Sequence, residues 1–165
     1  MTAVLLTGAT LDCAGLVSIG EEGARVDLDA EALERVGRNR AALEAAIARG
    51  DTIYGVTTGL GALVRERLSM EEAVTVQRDV LRSHAAGVGA PLPRSVVRAA
   101  VAARLNGLLH GHSGVRPVVL ERAAALLNAG LVALVPRTGS LGASGDLAPS
   151  AHAFLPLVGE GVVED

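Results

Sequence analysis

The residues with the greatest chemical reach stand near the end of the sequence, in Gly139-Ser140-Leu141-Gly142-Ala143-Ser144-Gly145-Asp146-Leu147-Ala148-Pro149. Glycines at 139, 142 and 145 let the backbone bend where most residues would clash. In a turn that tight, the Gly145 amide nitrogen can attack the Ala143 carbonyl carbon and close a five-membered ring. The carbonyl oxygen leaves as one water, and the Ser144 hydroxyl leaves with its Cα hydrogen as a second. What remains is an exocyclic methylidene conjugated with the ring, an electrophile made from the chain alone. The same residues also read as a glycine-rich turn before a helix, with Asp146 as the N-cap. A serine nucleophile elbow fits less well, because Gly142-Ala143-Ser144-Gly145-Asp146 lacks the final glycine of G-x-S-x-G. A P-loop is excluded, since the sequence contains no lysine.

Two further segments carry groups able to work with such an electrophile. Tyr54, the only tyrosine, lies in Tyr54-Gly55-Val56-Thr57-Thr58-Gly59-Leu60-Gly61. A tyrosine on a glycine-rich loop can close over a site and exchange a proton, or simply anchor the loop to the core. His84 lies in Arg82-Ser83-His84-Ala85-Ala86-Gly87, where an imidazole beside a helix end is either a ligand-reading group or a structural hydrogen bonder. The His110-Gly111-His112 pair raises the question of a metal. Two imidazoles without a nearby cysteine or carboxylate fall short of the three or four ligands that a site needs, so no metal is expected.

The elements that must position these groups follow from periodicity and capping. Residues 1–28 read as short strands and turns, with Val4–Leu6, Leu16–Ile19 and Ala24–Leu28 as strands. Asp29 caps a first helix to Arg49, with Leu33, Val36, Leu43 and Ile47 on its apolar stripe and Gly50 after its end. Residues 51–68 read as a long loop, of a length that in compact domains is usually functional or disordered. Ser69-Met70-Glu71-Glu72 is a capping box that opens a helix to about Leu81. A third helix spans Arg94 to His110, with Val97, Val101, Leu105 and Leu108 inward. Pro117 starts a fourth, ending near Asn128 before Gly130. Leu131–Val135 is a short strand leading to the glycine turn, and Leu147 begins a last helix. The fold class expected is mainly α with short β elements.

Composition bounds the function. The 165 residues suffice for one domain with a real core, here residues 1–165. Half are hydrophobic, yet there is one Phe and no Trp, so the core is built of Leu, Val and Ala. All 15 basic residues are Arg, the net charge is −3 and no basic block exists, which argues against nucleic acid as a partner. Cys13 stands alone, so no intramolecular disulfide and no thiolate metal site is available. With no apolar run of membrane-spanning length and no basic segment before Val4–Leu6, a cytoplasmic protein without a membrane is expected.

Taken together, four stretches carry a resemblance: Tyr54–Gly61, Arg82–Leu92, Gly111-His112-Ser113-Gly114-Val115-Arg116-Pro117 and Gly139–Pro149. In order and spacing they resemble the amino-terminal part of the aromatic amino acid ammonia-lyase and aminomutase family, and most closely its histidine-specific lyases. The resemblance implies the active-site domain of the fumarase/aspartase-like helical-bundle lyases. It implies that Ala143, Ser144 and Gly145 become 4-methylidene-imidazol-5-one (MIO), supported by Asp146, with no metal or nucleotide. Tyr54 matches the family's catalytic tyrosine, Gly61 would lie near the site, and His84 sits where the family reads the substrate ring. The implied reaction is loss of ammonia from an aromatic L-amino acid, most simply L-histidine to urocanate. Tyrosine elimination and 2,3-amino migration are the alternatives.

Departures from the family pattern are Leu60 in place of a Phe, and Ser150-Ala151 in place of Leu-Ser. Family members are also several times longer, and their long carboxyl-terminal helical part is absent here. The expectation is therefore a subunit active only with a second polypeptide carrying that half, or through homo-oligomerisation. The competing reading is a truncated, non-catalytic remnant or interaction subunit.

Overall fold

Capping side chains set where the helices begin. In the computed structural model, which describes residues 3–143 and 145–165, Asp12 accepts from the Gly15 amide at 2.8 Å and opens α1 (Cys13–Gly20). Asp29 accepts from the Ala32 amide at 2.8 Å and opens α2 (Ala30–Ala48). The capping box is present at α3 (Met70–His84): Ser69 Oγ accepts from the Glu72 amide, and the Glu72 carboxylate accepts from the Ser69 amide. That backbone bond holds the Glu72 carboxyl below its ordinary value. α4 (Arg94–Leu108) follows Pro93, and Pro117 takes the first position of α5 (Pro117–Asn128), where its missing N–H costs nothing. α6 (Leu147–Phe154) begins directly after the glycine turn.

The strands are short and occur in pairs. β1 (Val4–Leu6) runs parallel to β2 (Val26–Leu28), with Val4 opposite Val26 and Leu6 opposite Leu28. Beyond α3 come β3 (Val88–Pro91), β4 (Val132–Ala133), β5 (Pro136–Thr138) and β6 (Val163–Glu164). β3 and β5 pair antiparallel, as do β4 and β6.

α4 supplies the centre of the core. Its Val97, Val101, Leu105 and Leu108 are buried, as the periodicity predicts, along with Ala102. They pack among Leu6 and Val26 of the first strand pair, Ile19 of α1, Val36 of α2 and Leu120, Ala123 and Leu127 of α5. Arg98 lies in the same layer at 5% exposure. Its guanidinium donates to the carbonyls of Ile19 (2.8 Å), Leu127 (2.9 Å) and Ala24 (3.2 Å). Burial, and then the neighbouring Arg94 charge, push its pKa below the usual arginine value. Backbone oxygens, not a carboxylate, thus hold a buried cation that ties three segments together. No helix among the described residues is long and apolar enough to cross a membrane.

The structure corrects several boundaries. Leu16–Ile19 is helical, inside α1, not a strand: four apolar residues fit either period, and the Asp12 cap together with packing against α4 decides for helix. α3 continues past Leu81 to His84, and α4 stops at Leu108 instead of His110. β3, β5 and β6 are additional strands, two to four residues long, whose pairing is tertiary in origin.

Candidate active site

The pairing of β3 with β5 builds the site. Val88 lies opposite Thr138 and Pro91 opposite Pro136, so the segment after His84 runs alongside the approach to the tripeptide. The two backbones come so close that a Cβ placed on Gly139 would fall 2.9 Å from Gly87 Cα, and Gly139 has φ +140°. Only glycine satisfies both conditions. Helix α6 contributes His152, whose Nε2 accepts from the Gly87 amide at 3.1 Å. Burial pushes the His152 pKa below the usual imidazole value. Segments 85–87 and 139–140 and helix α6 therefore meet at one junction.

Within the turn, Ser140 Oγ donates to Asp146 Oδ1 at 2.5 Å. This bond closes a loop around residues 141–145. Asp146 holds the N-cap position of α6 but makes no side-chain capping bond; its Oδ1 accepts from Ser140 instead. Gly145 has φ +105°, and a Cβ there would meet no atom within 4 Å beyond its chain neighbours, so this side of the residue is open. Ala143 and Gly145 are exposed, and Leu141 at the lip is 95% exposed. Ser144 lies outside the described residues. The residues on either side of Ser144 are thus exposed, and the segment that holds them is tied between Ser140 and Asp146.

His84 ends α3 half-buried. Its Nδ1 lies 2.8 Å from the Val80 carbonyl and 3.2 Å from Ser83 Oγ. A carbonyl can only accept, so Nδ1 carries the proton, and Nε2 has no hydrogen-bond partner among the described residues.

The loop over 51–68 has one 3-10 turn, Gly61–Leu63, and a single bridge from Thr58 to Arg67. Thr58 is buried, accepts from the Gly55 amide and donates to the Gly59 carbonyl. Tyr54 is 60% exposed and its oxygen accepts from the Gly61 amide at 3.1 Å. That single bond pairs two predicted site residues and leaves the phenolic O–H free to donate. The loop is moored to α3 by Gln77, which donates to the Gly55 carbonyl at 2.8 Å. The Tyr54 loop is thus tied to the helix that bears His84. Its loop makes no hydrogen bond to the tripeptide turn among the described residues.

The Gly111–Pro117 stretch serves the scaffold instead. Gly114 donates to Asn39 Oδ1 at 2.7 Å and accepts from Arg40 at 3.1 Å, which docks the turn on α2. His110 and His112 stack with ring centres 6.3 Å apart. No group of three or more His, Cys, Asp or Glu among the described residues is placed to hold a metal.

Sequence reasoning passed over Ser140, Gln77 and His152. Ser140 had a signal, since Ser and Asp six apart across a glycine turn are suited to closing it. The partners of Gln77 and His152 lie 22 and 65 residues away in sequence and become visible only in the fold.

Comparison with known proteins bears on this arrangement. Residues 11–165 match the sequence profile of the family described as aromatic amino acid lyase. The histidine ammonia-lyase of Geobacillus thermodenitrificans (strain NG80-2) is 49% identical over 160 residues, 97% of this chain and 32% of the relative. The MIO-dependent tyrosine 2,3-aminomutase of Streptomyces globisporus is 44% identical over 160 residues, again 97% of this chain and 30% of the relative. A crystal structure of tyrosine aminomutase from that organism superposes with a TM-score of 0.94 at 41% identity, covering 99% of this chain and 31% of that one. The chain therefore spans about a third of the length of the relatives it matches. With its mainly helical fold, its profile match over nearly its whole length and relatives of this similarity, the chain belongs to the aromatic amino acid lyase family.

Proposed function

We propose that this chain is the ring-forming and substrate-reading part of an MIO-dependent ammonia-lyase acting on L-histidine. The observation that carries the reading is the segment bearing the tripeptide, tied by Ser140 to Asp146 and preceded by β5, which pairs with the strand that follows His84. Ala143, Ser144 and Gly145 would form the prosthetic ring, with Asp146 holding its base. The ring supplies an electrophile for the substrate's amino group. Tyr54 removes the β-proton at its phenolic oxygen, which the Gly61 amide orients. His84, its Nδ1 fixed by Val80, offers Nε2 to a polar substrate ring. An imidazole substrate satisfies that nitrogen, whereas a phenyl ring leaves it unpaired at a cost in affinity. Similarity to the Geobacillus histidine ammonia-lyase supports the choice of histidine.

The match to about a third of each relative supports a further element of the reading, that the rest of the enzyme is contributed by additional polypeptide. Exposed apolar side chains beside the site, Val88 at 63%, Leu141 at 95% and Leu147 at 48%, are consistent with a surface covered in the complete assembly. Similarity to the Streptomyces aminomutase favours a second reading, migration of the amino group within tyrosine. The assembled protein given each amino acid in turn separates the possibilities. Histidine lyase activity produces ammonia and a conjugated acid seen by ultraviolet absorbance, and Tyr54→Phe abolishes it. An aminomutase yields a β-amino acid from tyrosine. A non-catalytic subunit yields neither product.

A further inference from the structure

The junction behind the turn contains a group that the proposed reaction leaves unused. His152 sits in the second turn of α6, directly after the tripeptide, and its Nε2 faces the Gly87 amide at 3.1 Å. Gly87 lies three residues beyond His84. A Cβ on Gly87 would fall 3.1 Å from His152 Nε2 and 3.1 Å from Pro136 Cβ, so this glycine is wedged between α6 and β5. Its other neighbour is Gly139, at the near-contact described above. The amide is a donor, so Nε2 must be unprotonated and the ring's proton must sit on Nδ1. A cationic imidazole would present an N–H to an N–H and break the junction.

We propose that His152 is a positioning residue: as a neutral Nδ1–H imidazole it accepts from Gly87 and thereby fixes the His84-bearing segment against the base of the Ala143-Ser144-Gly145 turn. It acts through Gly87 and β3, not on substrate. Two independent features point the same way. The Gly87–Gly139 approach leaves less room than one Cβ would need between the segment and the end of β5, and the His152 bond holds the segment to α6. The distance from the substrate-reading imidazole to the ring-forming turn is thus set from behind. The consequence for catalysis rests on the lyase reading above, whereas the hydrogen bond itself does not.

The test compares His152→Gln with His152→Asn in the full assembled protein. Glutamine carries an acceptor about as far out as Nε2, and asparagine stops near the position of Nδ1. Both are polar and neutral, so a difference between them reports reach. Imidazole nitrogen resonances of the unsubstituted protein should show an unprotonated Nε2 at His152, coupled across the hydrogen bond to the Gly87 amide. Exchange of the Gly87 amide should quicken about tenfold in His152→Asn and stay near the original in His152→Gln, as expected for one hydrogen bond lost and regained. KM for the amino acid should rise about tenfold in the Asn variant with kcat far less affected, and recover with Gln. A protonated Nε2, or Gly87 exchange equal in both variants and the parent, overturns the proposal. If the unsubstituted protein releases no ammonia, the lyase reading fails, and the nitrogen and exchange measurements still decide the role of His152.

Discussion

Replacing Gly139 with alanine tests whether the close backbone approach organises the site. Two costs are expected. At φ +140° an L-residue is strained, by about 1–3 kcal/mol. The added Cβ would also sit 2.9 Å from Gly87 Cα, well inside the ~3.5–4.0 Å optimum for carbon pairs. Both atoms belong to backbone, so relief requires β3 and β5 to separate, with loss of hydrogen bonds worth about 1 kcal/mol each. The total should be about 3 kcal/mol. Gly23→Ala is the matched control: φ is +71°, and no atom lies within 4 Å of the new Cβ, so only the backbone term of about 1–2 kcal/mol remains. Urea unfolding followed by circular dichroism gives both values. Gly139→Ala should also lower the fraction of protein that has lost two waters, which Gly23→Ala leaves alone. Equal stability costs for the two variants would refute the argument that contact with Gly87, beyond the backbone angle, matters.

Other expectations concern the core, the junction and the turn. Arg98→Leu strands the carbonyls of Ile19 and Ala24, while that of Leu127 still accepts from the Gly130 amide, and should cost about 2 kcal/mol or more by urea unfolding; Arg98→Lys should recover only part of it. His152 has a depressed pKa in the folded protein, so the unfolded chain takes up the proton first as pH falls through about 6.5. Stability should therefore decline on acidification from that point until the folded imidazole also protonates, and this part of the slope should vanish in His152→Gln. Ser140→Ala frees Asp146 to cap α6, so stability should change by less than about 1 kcal/mol. Ring closure should nevertheless be impaired, which intact mass would report as more unmodified chain.

Local signals made the larger helices legible. Asp29, the Ser69–Glu72 box and Pro117 each mark a helix start that the structure confirms, and the apolar spacing of α4 identifies four residues that are buried. Where local preference was weak, tertiary contact decided. Leu16–Ile19 is too short to distinguish a strand from a helix by period, although Asp12 three residues before Gly15 was an available cap signal. β3 and β5 are pairings between segments about 50 residues apart, and no pattern within either announces the other. The site shows the same division. Residue types pointed to Tyr54, His84 and the glycine turn, and motif spacing joined them. The connections through Gln77, Gly87 and His152 depend on distances that exist only after folding. Asp146 illustrates both: it stands where a cap was expected, yet its carboxylate serves the turn.

In the proposed enzyme Ala143, Ser144 and Gly145 close on themselves. Intact mass spectrometry of the protein isolated from its own host, with peptide mapping across 139–149, tests it most directly. A mass lower by two waters is expected, with the loss confined to that peptide, and Ser144→Ala, which has no hydroxyl to eliminate, should never show the second loss. A full, unmodified mass in the assembled protein would contradict it, leaving the family's fold without its electrophile.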